Sequence, residues 1–163
     1  MTSIASFMEK QGYILHSGGA EGADNAFELG VHNTDMKKIF LPWKGFNSNI
    51  SMLYGVSEKA IALAKAFHPS WDTLSYAAKI LIARNGYQVL GDSLDTPVDV
   101  VICYTPHGKA EGGTGQAIRI AQHYKIPIFN LYFKRDIEQI VSWMSTGTIS
   151  FIKEMELELW KLI

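Results

Sequence analysis

Apolar positions along the chain fall into short runs separated by polar and glycine-rich breaks, and the period switches repeatedly between that of a strand and that of a helix. Ser3 to Gln11 places Ile4, Phe7 and Met8 on one helical face and stops at Gly12. Tyr13 to His16 predicts a short first strand. The helical period returns from Ala23, with Ala26, Phe27 and Leu29 inward, and ends at Gly30. Lys37 to Leu41 predicts a second strand, closed by Pro42-Trp43-Lys44-Gly45, and Phe46 to Leu53 has neither period and reads as an irregular loop. Two helices follow. Ser57 to Phe67 has Ser57 as its cap and Ile61, Leu63, Ala64 and Phe67 inward. Thr73 to Arg84 buries Leu74, Ala77, Ala78, Leu81 and Ile82 and is expected to close at Asn85-Gly86. Asp99 to Tyr104 is the most apolar strand. A helix then carries Ala117, Ile118, Ala121 and Tyr124, Ile126 to Leu131 is a further strand, and Asp136 to Met144 a helix. The tail from Ile149 to Ile163 reads either as a strand and helix or as one helix with Phe151, Met155, Leu159 and Leu162 inward. Strands alternating with helices predict one α/β domain over residues 1–163 with a mainly parallel sheet.

Composition narrows the function. The chain has 163 residues, of which 47% are hydrophobic, enough for one domain with its own core. Fifteen basic against 16 acidic residues leave a net charge of -1, which makes a duplex nucleic-acid partner an unfavoured expectation. Cys103 lies inside the apolar run and reads as a small core residue, not a nucleophile. No cysteine and histidine spacing suits zinc, so neither a metal nor a cofactor is expected. With no signal peptide or membrane-length apolar run in the sequence, a cytoplasmic protein without membrane contact is the expectation.

Two stretches carry the candidate chemistry. Ser17-Gly18-Gly19-Ala20-Glu21-Gly22-Ala23-Asp24 lies between the first strand and its helix, and Glu111-Gly112-Gly113-Thr114-Gly115-Gln116 lies between the most apolar strand and its helix. Glycine in such a turn lets the backbone approach a ligand, and the free N–H groups and dipole of the following helix favour an anion such as a phosphate. Each loop taken alone is equally well read as a tight turn without a ligand. Two of them, both at the carboxyl ends of parallel strands, predict a shared cleft. Trp43 and Phe46 read as core cover, or else as aromatics that stack on a base.

The first loop, with His16 before it, resembles the Ser-Gly-Gly-Ala-x-Gly-x-Asp signature of the DNA-processing protein A family, part of the SLOG superfamily of Rossmann-like nucleotide-binding domains. Arg84-Asn85 resembles the Arg-Asn element of its small YspA-like members. Gly112-Gly113-Thr114-Gly115, followed by Lys125-Ile126-Pro127-Ile128, is similar to the second glycine loop and its strand. The likeness spans roughly Tyr13 to Leu131. It implies a three-layer Rossmann-like domain with helices on both faces of the sheet, two loops jointly holding a nucleotide or an NAD- or ADP-ribose-derived ligand, and a homo-oligomer. The ligand contacts so implied are Ser17, Gly18, Gly19, Ala20, Glu21, Asp24, Arg84, Asn85, Gly112, Gly113, Thr114, Gly115, Gln116 and Arg119.

The Lonely-guy phosphoribohydrolases are similar at the second loop, Pro-Gly-Gly-x-Gly-Thr-x-x-Glu, but this chain has Glu111, Gln116 and Arg119 where theirs has proline, threonine and the glutamate. Cleavage of an N-glycosidic bond through an oxocarbenium-like transition state wants a carboxylate close by. Arg119 supplies none, though it could bind a phosphate. Replacement carboxylates are Glu111, Asp24 and Asp92, with Glu21 beside them, and His16 and His107 flank the loops as possible acid or base. Asp24 reads equally as a helix N-terminal stabiliser, Arg119 equally as a solvated helix residue, Glu111 more readily as a solvated loop residue, and His68 and His123 as structural or exposed. Three readings follow: a nucleotide-binding sensor or sequestering protein, a nucleoside-monophosphate N-glycosidase, and a single-stranded DNA binder as in the DNA-processing protein A family.

Overall fold

Each glycine loop is the link between a short strand and the helix that follows it, and these two units organise the structure, a computed structural model that describes residues 1–147. Strand β1 (Leu15–Ser17) leads into the first loop and helix α2 (Ala23–Gly30), and pairs in parallel with β2 (Lys37–Ile39), Ser17 opposite Ile39. Strand β3 (Val101–Cys103) leads into the second loop and helix α6 (Gly112–His123), and pairs in parallel with β4 (Ile128–Asn130), Cys103 opposite Asn130. The chain is therefore mixed α/β with parallel pairing, as its alternation predicts.

The remaining helices support this frame. Helix α1 (Thr2–Lys10) packs on α2 through Ala5, Phe27 and Val31, with Leu15 and Ile102 against them. Helices α3 (Glu58–Phe67), α4 (Tyr76–Ala83) and α5 (Asn85–Leu90) form the larger core with α6, around Ala60, Ala64, Ile82, Val89, Leu90 and Ile120. Ser57 caps α3 as expected, its hydroxyl accepting from the Ala60 amide at 3.2 Å. Helix α7 (Lys134–Thr146) buries Ile140 and Trp143, and the rings of Phe7 and Tyr13 meet Trp143 edge-on at 5.9 and 5.7 Å. Ile149 to Ile163, expected as a strand and helix or as a single helix, lies outside the described residues.

Two expectations change. Among the described residues the strands do not join into one sheet: β1–β2 and β3–β4 are separate two-stranded sheets, each strand only three residues long. Tyr13, Ile14, Val100 and Tyr104 belong to the apolar runs but lie outside the ladders, and they line a cavity. The second change is at Asn85-Gly86, which does not end a helix. Arg84 keeps helical dihedrals (φ -59°, ψ -25°), and the chain continues directly into α5. Gly86 is buried instead, where a Cβ would press on Leu63 and Leu94. The stop comes at Gly91, whose φ of +72° takes the chain out of the helix.

Candidate functional site

A cleft of about 1150 Å³ lies against β1 and β3, lined by apolar residues such as Leu15, Phe27, Val89 and Ile102 and by residues of both glycine loops. That volume exceeds the roughly 300–1000 Å³ typical of small-molecule pockets. Ser17, Ala20, Glu21 and Asp24 line it from the first loop, Gly113 and Thr114 from the second, and Arg84 and Asn85 from the junction of α4 and α5.

The first loop is closed on itself by Asp24. One oxygen of its carboxylate accepts from the amides of Gly18 (3.2 Å) and Ala20 (3.1 Å). The donors that an incoming phosphate would use here are filled by the protein's own anion. Ser17 is buried, and its hydroxyl donates to Glu28 at 2.5 Å while accepting from the Gly19 amide at 3.3 Å. Burial and the nearby Asp24 charge push the Glu28 carboxyl above its ordinary value, against the hydrogen bond from Ser17.

Arg84 is 5% exposed and binds this loop directly, one terminal nitrogen donating to the Gly18 carbonyl and its Nε to the Leu81 carbonyl at 3.2 Å. A Cβ on Gly18 would overlap the guanidinium, so glycine is what admits the arginine. The Phe46 ring covers its outer face at 5.2 Å. Burial lowers the Arg84 pKa, offset by the charges of Asp24 and Glu28. Trp43, 44% exposed, stands edge-on to Phe46 and is not core cover. Asn85 reaches the second loop, its side-chain amide donating to the Gly113 carbonyl at 3.1 Å.

At the second loop the amino end of α6 has no side-chain cap and no acidic residue in its first turn. Gly113 and Thr114 of that turn face the cleft. The unfilled N–H groups and positive dipole end of a twelve-residue helix make this the better anion position of the two. Gly115 lies behind, where a Cβ would strike the Ala110 backbone. Gly112, the first residue of α6, takes a φ of +62°. At the end of β4 a buried network forms in which the Asn130 side-chain amide donates to the Thr105 hydroxyl at 2.6 Å and its main-chain N–H donates to Asp136 at 2.8 Å.

The other sequence candidates sit elsewhere. Gln116 is fully buried, donating to the Ala64 carbonyl at 3.0 Å and accepting from Arg119 at 2.9 Å. Arg119 also donates to the Ala110 carbonyl at 3.0 Å through its other terminal nitrogen while its Nε is buried without a partner, and neither residue lines the cleft. Glu111 is exposed, 4.0 Å from Lys109, and Asp92 is exposed and paired with Lys38 at 2.6 Å; both lie outside the cleft. His107 is exposed against Tyr132 and also lies outside it. His16 lines the cleft, its Nδ1 buried without a partner, and burial together with Lys38 lowers its pKa. The Cys103 thiol is buried and raised to about 11, which fits an inert core residue.

Glu28, Asn47, Asn49 and Gln88 are neighbours of the loops that sequence reading missed. Glu28 sits at mid-helix, one position from the apolar residue Phe27, and nothing in its spacing marks it. The pair Asn47-Ser48 does carry a signal, since both take positive φ (50° and 59°), a conformation Asn tolerates best. Comparison with protein-family models, curated proteins and solved structures gives no significant match.

Proposed function

We propose that the protein binds a nucleotide or an NAD- or ADP-ribose-derived ligand in the cleft against β1 and β3, and acts as a sensor or sequestering protein. The observation that carries this reading is the pairing of Arg84 with Gly18 and of Asn85 with Gly113, which ties both glycine loops to one cleft. The phosphate goes to the uncapped start of α6, with Arg84 facing it, and the apolar interior takes the base. The SLOG resemblance points the same way, with a Rossmann-like arrangement and assembly of identical copies.

The second reading is a nucleoside-monophosphate N-glycosidase. Its favouring observation is the carboxylate of Asp24 in the cleft wall beside Glu21. Two amides hold the Asp24 carboxylate in place, and Arg119 stands at the position where the hydrolases that the second loop resembles carry their glutamate. Binding without turnover is therefore the better fit. A single-stranded DNA partner has less support still, given the net charge of -1.

Mass spectrometry of small molecules released from the purified protein by denaturation tests this directly. An intact phosphorylated nucleoside at one per chain supports the binder. Free base and ribose phosphate generated from added nucleotides would replace it with the hydrolase.

A further inference from the structure

Behind the first glycine loop lies a second, smaller pocket of about 190 Å³, lined by Gly19, Ala20, Glu21, Asn25, Glu28, Asn47 and Asn49. All its side-chain functional groups are carboxylates or carboxamides, and no lysine or arginine lines it. An anion is therefore repelled. The volume is below the roughly 300–1000 Å³ that whole small-molecule ligands occupy, so it suits one moiety.

The polar atoms are held in fixed directions. Glu28 reaches in from α2 with one oxygen on Ser17 at 2.5 Å and the other 3.4 Å from the Asn49 amide, a contact long enough to leave acceptor capacity. Asn47 donates to the Gly19 carbonyl at 3.0 Å, which leaves its own carbonyl oxygen as an acceptor. Asn49 is set by accepting from the Ser51 amide at 2.9 Å. The pocket thus offers a carboxylate and carbonyl acceptors side by side, with amide donors next to them. Adjacent hydroxyls, each both donor and acceptor, complement that set. The pocket and the larger cleft share Ala20 and Glu21 as lining residues, so the two adjoin at the first loop.

We infer that this pocket, between Glu28 on α2 and Asn47–Asn49 on the opposite turn, is a sugar subsite that takes a vicinal diol, the ribose hydroxyls of the ligand. This rests on the nucleotide-binding reading.

The test follows the side-chain carboxamide NMR signals of Asn47 and Asn49 in the full chain during titration with D-ribose at high concentration, and separately with AMP and ADP-ribose. D-ribose should move both signals saturably, and 2-deoxy-D-ribose should bind roughly tenfold more weakly, about the worth of one unmade hydrogen bond. Glu28→Gln should weaken the ribose response. Asn25→Leu fills the pocket without cutting the loop, because the hydrogen bond of Asn25 is made by its main chain, to Ala20. It should abolish the response while the rest of the spectrum stays folded. Unmoved signals, equal response to both sugars, or a normal response in Asn25→Leu would overturn the subsite. If ribose acts as expected but neither nucleotide binds, the nucleotide reading fails and what remains is a vicinal-diol site for a free sugar, not a subsite of a nucleotide. If a nucleotide binds and these signals stay still, the subsite alone fails.

Discussion

Arg84 and Asn85, consecutive in the chain, each hold a different glycine loop: the Arg84 guanidinium donates to the Gly18 carbonyl and the Asn85 amide donates to the Gly113 carbonyl. The helical dihedrals at Arg84 make this possible, because α4 runs straight into α5 and delivers two successive side chains to the two loops of the cleft. The distance between the loops is set by one short piece of helix.

Removing Arg84 should therefore damage both stability and binding. Arg84→Met loses a buried charged hydrogen bond and leaves Asp24 and Glu28 without their compensating charge, a cost of roughly 2–4 kcal/mol. Asn85→Ala should cost about 1 kcal/mol and weaken ligand affinity by loosening the second loop alone. Chemical denaturation beside calorimetric titration separates the two effects. Equal stability of Arg84→Met and wild type would refute the clamp.

The glycines of the two loops should respond differently. At Gly113 a Cβ would sit 3.6 Å from the Asn85 amide nitrogen, an ordinary contact, so Gly113→Ala should fold normally and lose ligand affinity if the backbone lies against the phosphate. Gly18→Ala collides with Arg84 and should cost about 1–3 kcal/mol as an overpacked site. Gly19, at φ +66° and with a Cβ only 2.8 Å from Leu41, is likewise a folding position, so Gly19→Val is a stability mutant and not a clean test of binding. Thermal melts of the three variants check the ranking.

The strand and helix order was legible in the sequence because each element announces itself by period and punctuation: Gly12, Gly30, Ser57 and the two glycine loops fall where the pattern predicts. The continuation through Asn85-Gly86 was not, since a buried glycine that admits Leu63 and Leu94 has the same local sequence as a helix stop. Ser17, Asp24, Gly113 and Thr114 of the two loops line one cleft, and so do Arg84 and Asn85, which only the resemblance and no spacing pointed to. Gln116 and Arg119 do not, because at helical spacing of three they face each other and the Ala64 and Ala110 carbonyls. Glu28 stayed hidden because only tertiary packing brings it to Ser17 and Asn49.

Arg119 and Gln116 should accordingly behave as structural residues. Gln116→Leu leaves the Ala64 carbonyl and the Arg119 guanidinium short of a partner and should cost roughly 1–3 kcal/mol. Arg119→Met should leave ligand affinity within about twofold, since its terminal nitrogens are held by Gln116 and Ala110 and it does not line the cleft. A large affinity loss in Arg119→Met without loss of stability would restore Arg119 to the phosphate site.

Acid sensitivity should report His16. Its pKa in the folded protein lies below the ordinary 6.5, so the unfolded chain takes up the proton first. The stability it contributes is complete above pH 6.5 and is lost as the pH falls through the folded value. His16→Gln should flatten the dependence of the denaturation midpoint on pH across that window. An unchanged slope would mean the imidazole is not held neutral by burial.

The most direct measurement is calorimetric titration of AMP, NAD and ADP-ribose into wild-type protein and Gly113→Val. Nucleotide binding in the cleft predicts one-to-one binding of at least one of them, weakened at least about tenfold in the variant, a loss of about 1.4 kcal/mol, while the variant stays folded. No binding by wild type, or equal binding by a folded Gly113→Val, would contradict it.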